Sequence, residues 1–168
     1  LDSKTYFEYK KSRKSKVVIY TAISGEYDDL IQHTYISKDF DYVCFTDNPP
    51  SEPGFWEIRP LKRIKFDSNL NAKYYKIFPH EVFPEYEFSV WIDGNIDVKS
   101  QELEYKILEL INKDMRIALN KHWGTNCVYD EVGAVIDSEK EHIDKVLMVR
   151  DFLRGDDFPQ NFGHFELN

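Results

Sequence analysis

At 168 residues, 42% hydrophobic and 31% charged, the chain has the composition of a soluble globular domain able to bury a core. Lys and Arg total 22 against 30 Asp and Glu, and the net charge of -8 argues against a nucleic-acid partner, because a phosphate backbone demands a basic surface. No run of about 18 apolar residues is present to span a bilayer, and Cys44 and Cys127 form neither a disulfide scaffold nor a C-x-x-C metal pair.

Taken in chain order, residues 1–15 read as a basic N-terminal arm, with Lys10, Lys11, Arg13 and Lys14 leading into Lys16. A solvated arm is the plain reading, and peripheral contact with an anionic membrane is the alternative. The start at Leu1 carries no secretory pattern and reads as an excised piece of something longer. Free buried thiols and a cytoplasmic, reducing setting follow from the sparse cysteines. Lys16–Ala22 is a predicted strand entering the polar turn Ile23–Asp29. Tyr42–Thr46 is a second strand closed by Asp47-Asn48-Pro49-Pro50, and Trp56–Arg59 a third, stopped by Pro60.

Residues Ser68 to Phe78 read as a helix, after which Pro79 and Pro84 punctuate the approach to Phe88-Ser89-Val90-Trp91-Ile92. That uncharged run reads as a buried strand and breaks off at Asp93-Gly94-Asn95. Ser100 is the predicted N-cap of a helix whose stripe is Leu103, Ile107, Leu110 and Ile111. Met115–Asn120 is a further predicted strand. Ser138 and Glu141 have capping-box spacing for a helix with Ile143, Val146, Leu147 and Leu153 inside, ending near Gly155. Strands alternating with helices predict a mostly parallel α/β sheet over residues 16–168.

Residues able to carry chemistry gather where the predicted strands end, the rim on which open α/β sheets bind ligands. Thr21, Ser24, Gly25 and Asp28 bring hydroxyls, free amides and a carboxylate to the first strand's end, although ordinary turn chemistry uses the same residues and no phosphate-binding glycine motif is present. Asp47 either meets a base or ribose or simply starts a turn. Lys73 and Lys76, three apart, share a helix face suited to neutralising a diphosphate; a solvated pair is the plain alternative. Asp93 and Asn95, flanking Gly94, resemble an acidic D-x-D pair with Asn in the second place, a set of oxygens for a hard divalent cation. Asp97 lies two residues farther on as a substitute acid. His122, Trp123, Tyr129, Asp130 and Glu131 supply an aromatic face and candidate bases, against the alternative that both acids merely favour a helix start.

Val17–Asp28, Phe45-Thr46-Asp47, Trp91–Ile96, His122–Glu131 and Phe158–Gly163, in that order, resemble a glycosyltransferase-like family once catalogued as a domain of unknown function. Its members occur in bacterial capsule and polysaccharide loci and in plant mucilage and cell-wall proteins. The resemblance implies a GT-A-like, Rossmann-type fold, incomplete at its C-terminal end. It implies Thr21, Ser24, Gly25, Asp28 and Asp47 as nucleotide contacts, and Lys76 as a phosphate partner. Asp93 and Asn95 would hold Mn²⁺ or Mg²⁺, with His122, Tyr129 and Glu131 on the acceptor side. The implied reaction moves a sugar from a nucleotide-diphosphate donor, a UDP-sugar first, to a glycan acceptor, with Glu131 or Asp130 as base if configuration inverts. A non-catalytic nucleotide-sugar or glycan-binding module and a metal-dependent hydrolase or nucleotidyltransferase are the alternatives.

Overall fold

The computed structural model describes residues 16–25, 28–62, 68–121, 124–138, 141–160 and 165–166. The basic arm at 1–15 therefore lies outside the described residues, apart from its neighbour Lys16, which pairs with Glu87 at 3.0 Å. The chain divides between Arg116 and Ile117 into two compact units. Among the described residues no helix is long and apolar enough to cross a membrane.

The first unit is built on a parallel sheet of β1 (Val17–Ile23), β2 (Asp41–Thr46), β3 (Glu57–Pro60) and β4 (Phe88–Trp91), in the order β3-β2-β1-β4. All seven residues of β1 are buried, because a strand between two parallel neighbours is covered on both faces. Its side chains alternate between two cores. Val17, Ile19 and Ile23 join Tyr42, Cys44, Trp56 and Ile92 on one face. Val18, Tyr20 and Ala22 join Val43, Phe45, Tyr75 and Phe83 on the other. The expected α/β architecture is therefore present, with helices on both sides of a mostly parallel sheet.

Helix α1 (Ser68–Ile77) covers the second face, where the Tyr20 hydroxyl donates to the Tyr75 carbonyl at 3.0 Å. The short α2 (Pro79–Val82) follows, with Pro79 at its first turn, where a missing N–H costs nothing. Helix α3 (Glu102–Asn112) covers the first face through Leu103, Ile107 and Ile111. Its N-cap is Gln101 rather than Ser100. The Ser100 hydroxyl still accepts from the Glu102 amide at 3.4 Å, so the helix begins one residue later than its best capping side chain suggests.

The β1–β2 connection contains no regular element among its described residues, and its backbone groups are satisfied by neighbours instead. The Tyr35 amide donates to the Val98 carbonyl at 2.8 Å, and the Trp56 indole donates to the Ile31 carbonyl at 2.9 Å. Asp97 accepts from the Thr34 amide at 2.7 Å and hydroxyl at 2.8 Å, which holds its carboxyl below the usual carboxylate range. Asp97 thus ties a loop to the segment after β4. As a substitute acid for the Asp93 pair it is already committed.

Three expectations are corrected. β4 is the outermost strand of the sheet among the described residues, so Phe88, Val90 and Trp91 are only half-buried. Of the expected strand Met115–Asn120, only Asn120 joins a ladder. β5 (Asn120–Lys121) pairs antiparallel with β6 (Phe165–Glu166), while Met115, Ile117 and Leu119 are exposed beside no described strand. The Ser138–Glu141 capping box is not formed. Ser138 ends α4 (Val128–Asp137) by donating to the Val135 carbonyl at 3.0 Å, and α5 (Ile143–Gly155) starts after His142. Glu141 accepts instead from the His142 amide and from Lys145, at 2.9 and 3.0 Å. Both cysteines are buried, as expected, and neither is in a disulfide.

Candidate functional site

The chain passes outward from β1 to β2 and β3, then returns to lay β4 along the other side of β1. Such a reversal opens a crevice between neighbouring carboxyl ends, here those of β1 and β4. A cavity of about 300 Å³ lies there, lined by Ala22, Ile23, Ser24 and Asp28 from the β1 side. Asp93, Gly94, Asn95 and Trp91 line it from β4, and Ala72, Lys73 and Lys76 from α1. A second cavity of about 560 Å³ opens at the ends of β1 and β2, with Gly25, Asp28, Asp29, Thr46, Asn48 and Pro49 in its wall. Ile23 and Asp28 belong to both linings, so the two hollows are adjacent.

The β4 end is the most organised part. Trp91 and Asp93, two apart on an extended segment, point to the same side. The Trp91 indole N–H donates to Asp93 Oδ1 at 2.7 Å, and Lys76 Nζ lies 3.5 Å from the same oxygen. The ammonium also sits 5.3 Å from the centre of the Trp91 ring, within cation–π range. Lys76 is largely enclosed, its side chain 19% exposed, whereas Asp93 is 41% exposed. Gly94 lets the backbone run close to β1, since a Cβ there would come within 2.9 Å of Ile23 Cδ1 and displace the tip of that side chain.

At the β1 end, Gly25 takes the left-handed φ of 67° and donates its amide to Asp47 Oδ1 at 2.8 Å. Asp47 lines neither cavity, and its described role is to brace this turn. Thr21 also lines neither. It is fully buried beneath Gly94, and its hydroxyl has no hydrogen-bond partner among the described residues.

Ser24, Asp28, Lys73, Lys76, Asp93, Gly94 and Asn95 are thus gathered around the smaller cavity, and Gly25 and Asp28 around the larger. Asp130 and Glu131 belong to the second unit, in the first turn of α4. There Glu131 accepts from the Thr125 hydroxyl at 3.1 Å, and Tyr129 donates to the Phe158 carbonyl at 2.8 Å. His122 and Trp123 lie outside the described residues, as do 161–163. Trp91 was the contributor missed in the sequence. Its spacing of two from Asp93 was the available signal, hidden because an aromatic in an apolar run reads as core.

A divalent cation does not suit this donor set. Asp93 Oδ1 already receives an indole N–H and faces an ammonium, Asp28 is the one other carboxylate in the lining, Asn95 is neutral and exposed, and Asp97 is bound to Thr34. Among the described residues no group of three His, Cys, Asp or Glu side chains could hold a metal. An ion on Asp93 would also repel the Lys76 charge. At an effective dielectric of about 20, two unit charges roughly 4 Å apart interact by about 4 kcal/mol, and a divalent ion doubles that.

Against this geometry, residues 4–160 match the TOD1/MUCI70, glycosyltransferase-like domain. The chain belongs to that family. It is also 26% identical to the probable hexosyltransferase MUCI70 of Arabidopsis thaliana, over 73% of this chain and 24% of that protein. The chain thus spans about a quarter of the length of this curated relative. No solved structure matches. Membership bears out the family to which the five sequence segments pointed, and at family level the domain is glycosyltransferase-like.

Proposed function

We propose that this domain binds a nucleotide-diphosphate sugar across the two adjacent cavities and passes its glycosyl group to a glycan acceptor. The larger cavity at the β1 and β2 ends would take base and ribose, between Gly25, Asp28 and Thr46. The smaller would take the diphosphate, beside Lys73 and Lys76. In the transfer, an acceptor hydroxyl oxygen bonds to the anomeric carbon while the bond from that carbon to the diphosphate oxygen breaks. The hydroxyl proton goes to a carboxylate acting as general base if configuration inverts. The relative's name supports a hexosyl donor, and we propose polysaccharide assembly as the setting of the transfer.

The observation carrying this reading is the pairing of two adjacent hollows with two lysines at the β1–β4 switch point. A binding module without turnover is the second reading, favoured by the neutral Asn95 beside Asp93. The test is calorimetric titration of the chain with UDP and UDP-glucose, followed by turnover assays with glycan acceptors or water alone. Saturable nucleotide binding abolished by Ala72→Trp, which fills the smaller cavity, is the expected result. Absence of nucleoside-diphosphate binding under every ionic condition refutes the reading. Binding without transfer selects the module.

A further inference from the structure

We infer that Lys76 is itself the cation that receives the diphosphate, so that nucleotide binding at this site proceeds without a divalent metal. The inference rests on the preceding proposal that the cavity accepts a nucleoside diphosphate. It departs from the Mn²⁺ or Mg²⁺ expected from the Asp93–Asn95 pair.

Lys76 sets a positive charge against Asp93. Its Nζ is 3.5 Å from Asp93 Oδ1, and that oxygen is fixed from the other side by the Trp91 indole at 2.7 Å. The Trp91 ring, 5.3 Å from the ammonium, supplies a second electron-rich contact. An aromatic face and a carboxylate therefore hold one positive charge at the edge of a cavity that Lys76 lines. A lysine ammonium carries three N–H donors. Asp93 engages one, which leaves donors for phosphate oxygens arriving from the cavity. The ammonium then bridges a carboxylate and a phosphate, the job a divalent ion performs between an acidic pair and a diphosphate.

Asp28 lines the same cavity from the β1 side, but among the described residues no third His, Cys, Asp or Glu joins it and Asp93 in a metal-binding group. Asp97 is occupied by Thr34, and Asn95 contributes no charge. Lys73, one helical turn before Lys76, lines the same cavity and adds a second charge on the same helix face. Asp93 is thus a positioning residue for Lys76, and Trp91 positions both.

The experiment titrates UDP into the full chain by calorimetry, first in EDTA and then in Mn²⁺, for the unaltered chain, Lys76→Met and Lys76→Arg. The expected result is affinity within twofold in the two buffers for the unaltered chain. Lys76→Met should bind at least tenfold more weakly in EDTA, Lys76→Arg should retain most of the affinity, and Mn²⁺ should recover part of the Lys76→Met loss by taking the vacated place on Asp93. That recovery separates a charge role from a merely structural one. Binding by the unaltered chain that requires Mn²⁺ overturns this inference and leaves the proposed function standing, and it needs no variant to fold. Equal binding by Lys76→Met in EDTA overturns it as well. Failure of UDP to bind in either buffer overturns the proposed function beneath it.

Discussion

Thr21→Val is expected to stabilise the protein without weakening nucleotide binding. Thr21 is fully buried on β1, and its hydroxyl has no hydrogen-bond partner among the described residues. A buried unsatisfied hydroxyl costs about 1–3 kcal/mol in lost hydration. Valine keeps the branched shape, removes that cost and adds the burial of one methyl, about 0.8 kcal/mol. Allowing for imperfect repacking against Gly94, a net gain of about 1–2 kcal/mol is expected. For a domain of this size that corresponds to a rise in Tm of roughly 3–6 °C. Thermal melting by circular dichroism and urea titration with an unchanged m-value measure it, and UDP affinity should hold within twofold because Thr21 lines neither cavity. Destabilisation by about 1 kcal/mol would mean that the hydroxyl has a partner in solution, and a tenfold loss of UDP affinity would restore Thr21 as a nucleotide contact. Either outcome refutes the reasoning.

Asp47→Ala frees the Gly25 amide from its 2.8 Å bond, so nucleotide affinity should fall several-fold while stability, at this exposed site, changes by less than about 0.5 kcal/mol; a loss of stability without loss of affinity would contradict the brace. His33 is held below its ordinary imidazole value by burial among Tyr42, Phe55 and Trp56, an effect Asp97 opposes. Between that lowered value and about 6.5 the unfolded chain binds more protons, so stability rises with pH across this window and falls on acidification. Urea midpoints measured from pH 5 to 8 should show that slope, and His33→Phe should flatten it; an unchanged slope places the titrating group elsewhere. Burial pushes the Cys44 thiol up to about 12, so Ellman's reagent at pH 8 should leave it unmodified in the native state and label it in urea, as read by mass spectrometry of its peptide. Native labelling of Cys44 would show that the strand opens.

The fold was legible wherever burial imposes a pattern. β1 and β2 are covered on both faces, so their apolar runs stand out, and their observed bounds differ from the expected ones by no more than one residue. Where packing is one-sided the pattern misleads. Phe88 to Trp91 carries the apolar side chains of a central strand yet lies at the sheet's border among the described residues. Ser138 has the right spacing from Glu141, but spacing does not say which of two adjoining helices a hydroxyl serves, and it closes the earlier one. Local chemistry brought Asp93, Lys73 and Lys76 forward as parts of one diphosphate site. The direct contact of Lys76 with Asp93 and Trp91 was not legible, because it depends on α1 crossing the sheet face beside a strand that follows it in sequence. Asp47 and Thr21 show the opposite limit. Both stand at the correct strand ends, and only geometry distinguishes a side chain that faces a cavity from one that braces or underlies it.

The seating of Lys76 on the Trp91 ring has a practical consequence. Indole emission responds to charges beside the ring, and here an ammonium lies 5.3 Å from its centre while a carboxylate holds its N–H. An anion bridged to the ammonium changes the field that both groups set at the ring. Trp56, sealed in the interior, and Trp123 add emission of their own, so the Trp91 signal is isolated by comparison with Trp91→Phe. The protein thus carries a native fluorophore beside its own candidate site, and occupancy is open to readout by light without label, acceptor or turnover.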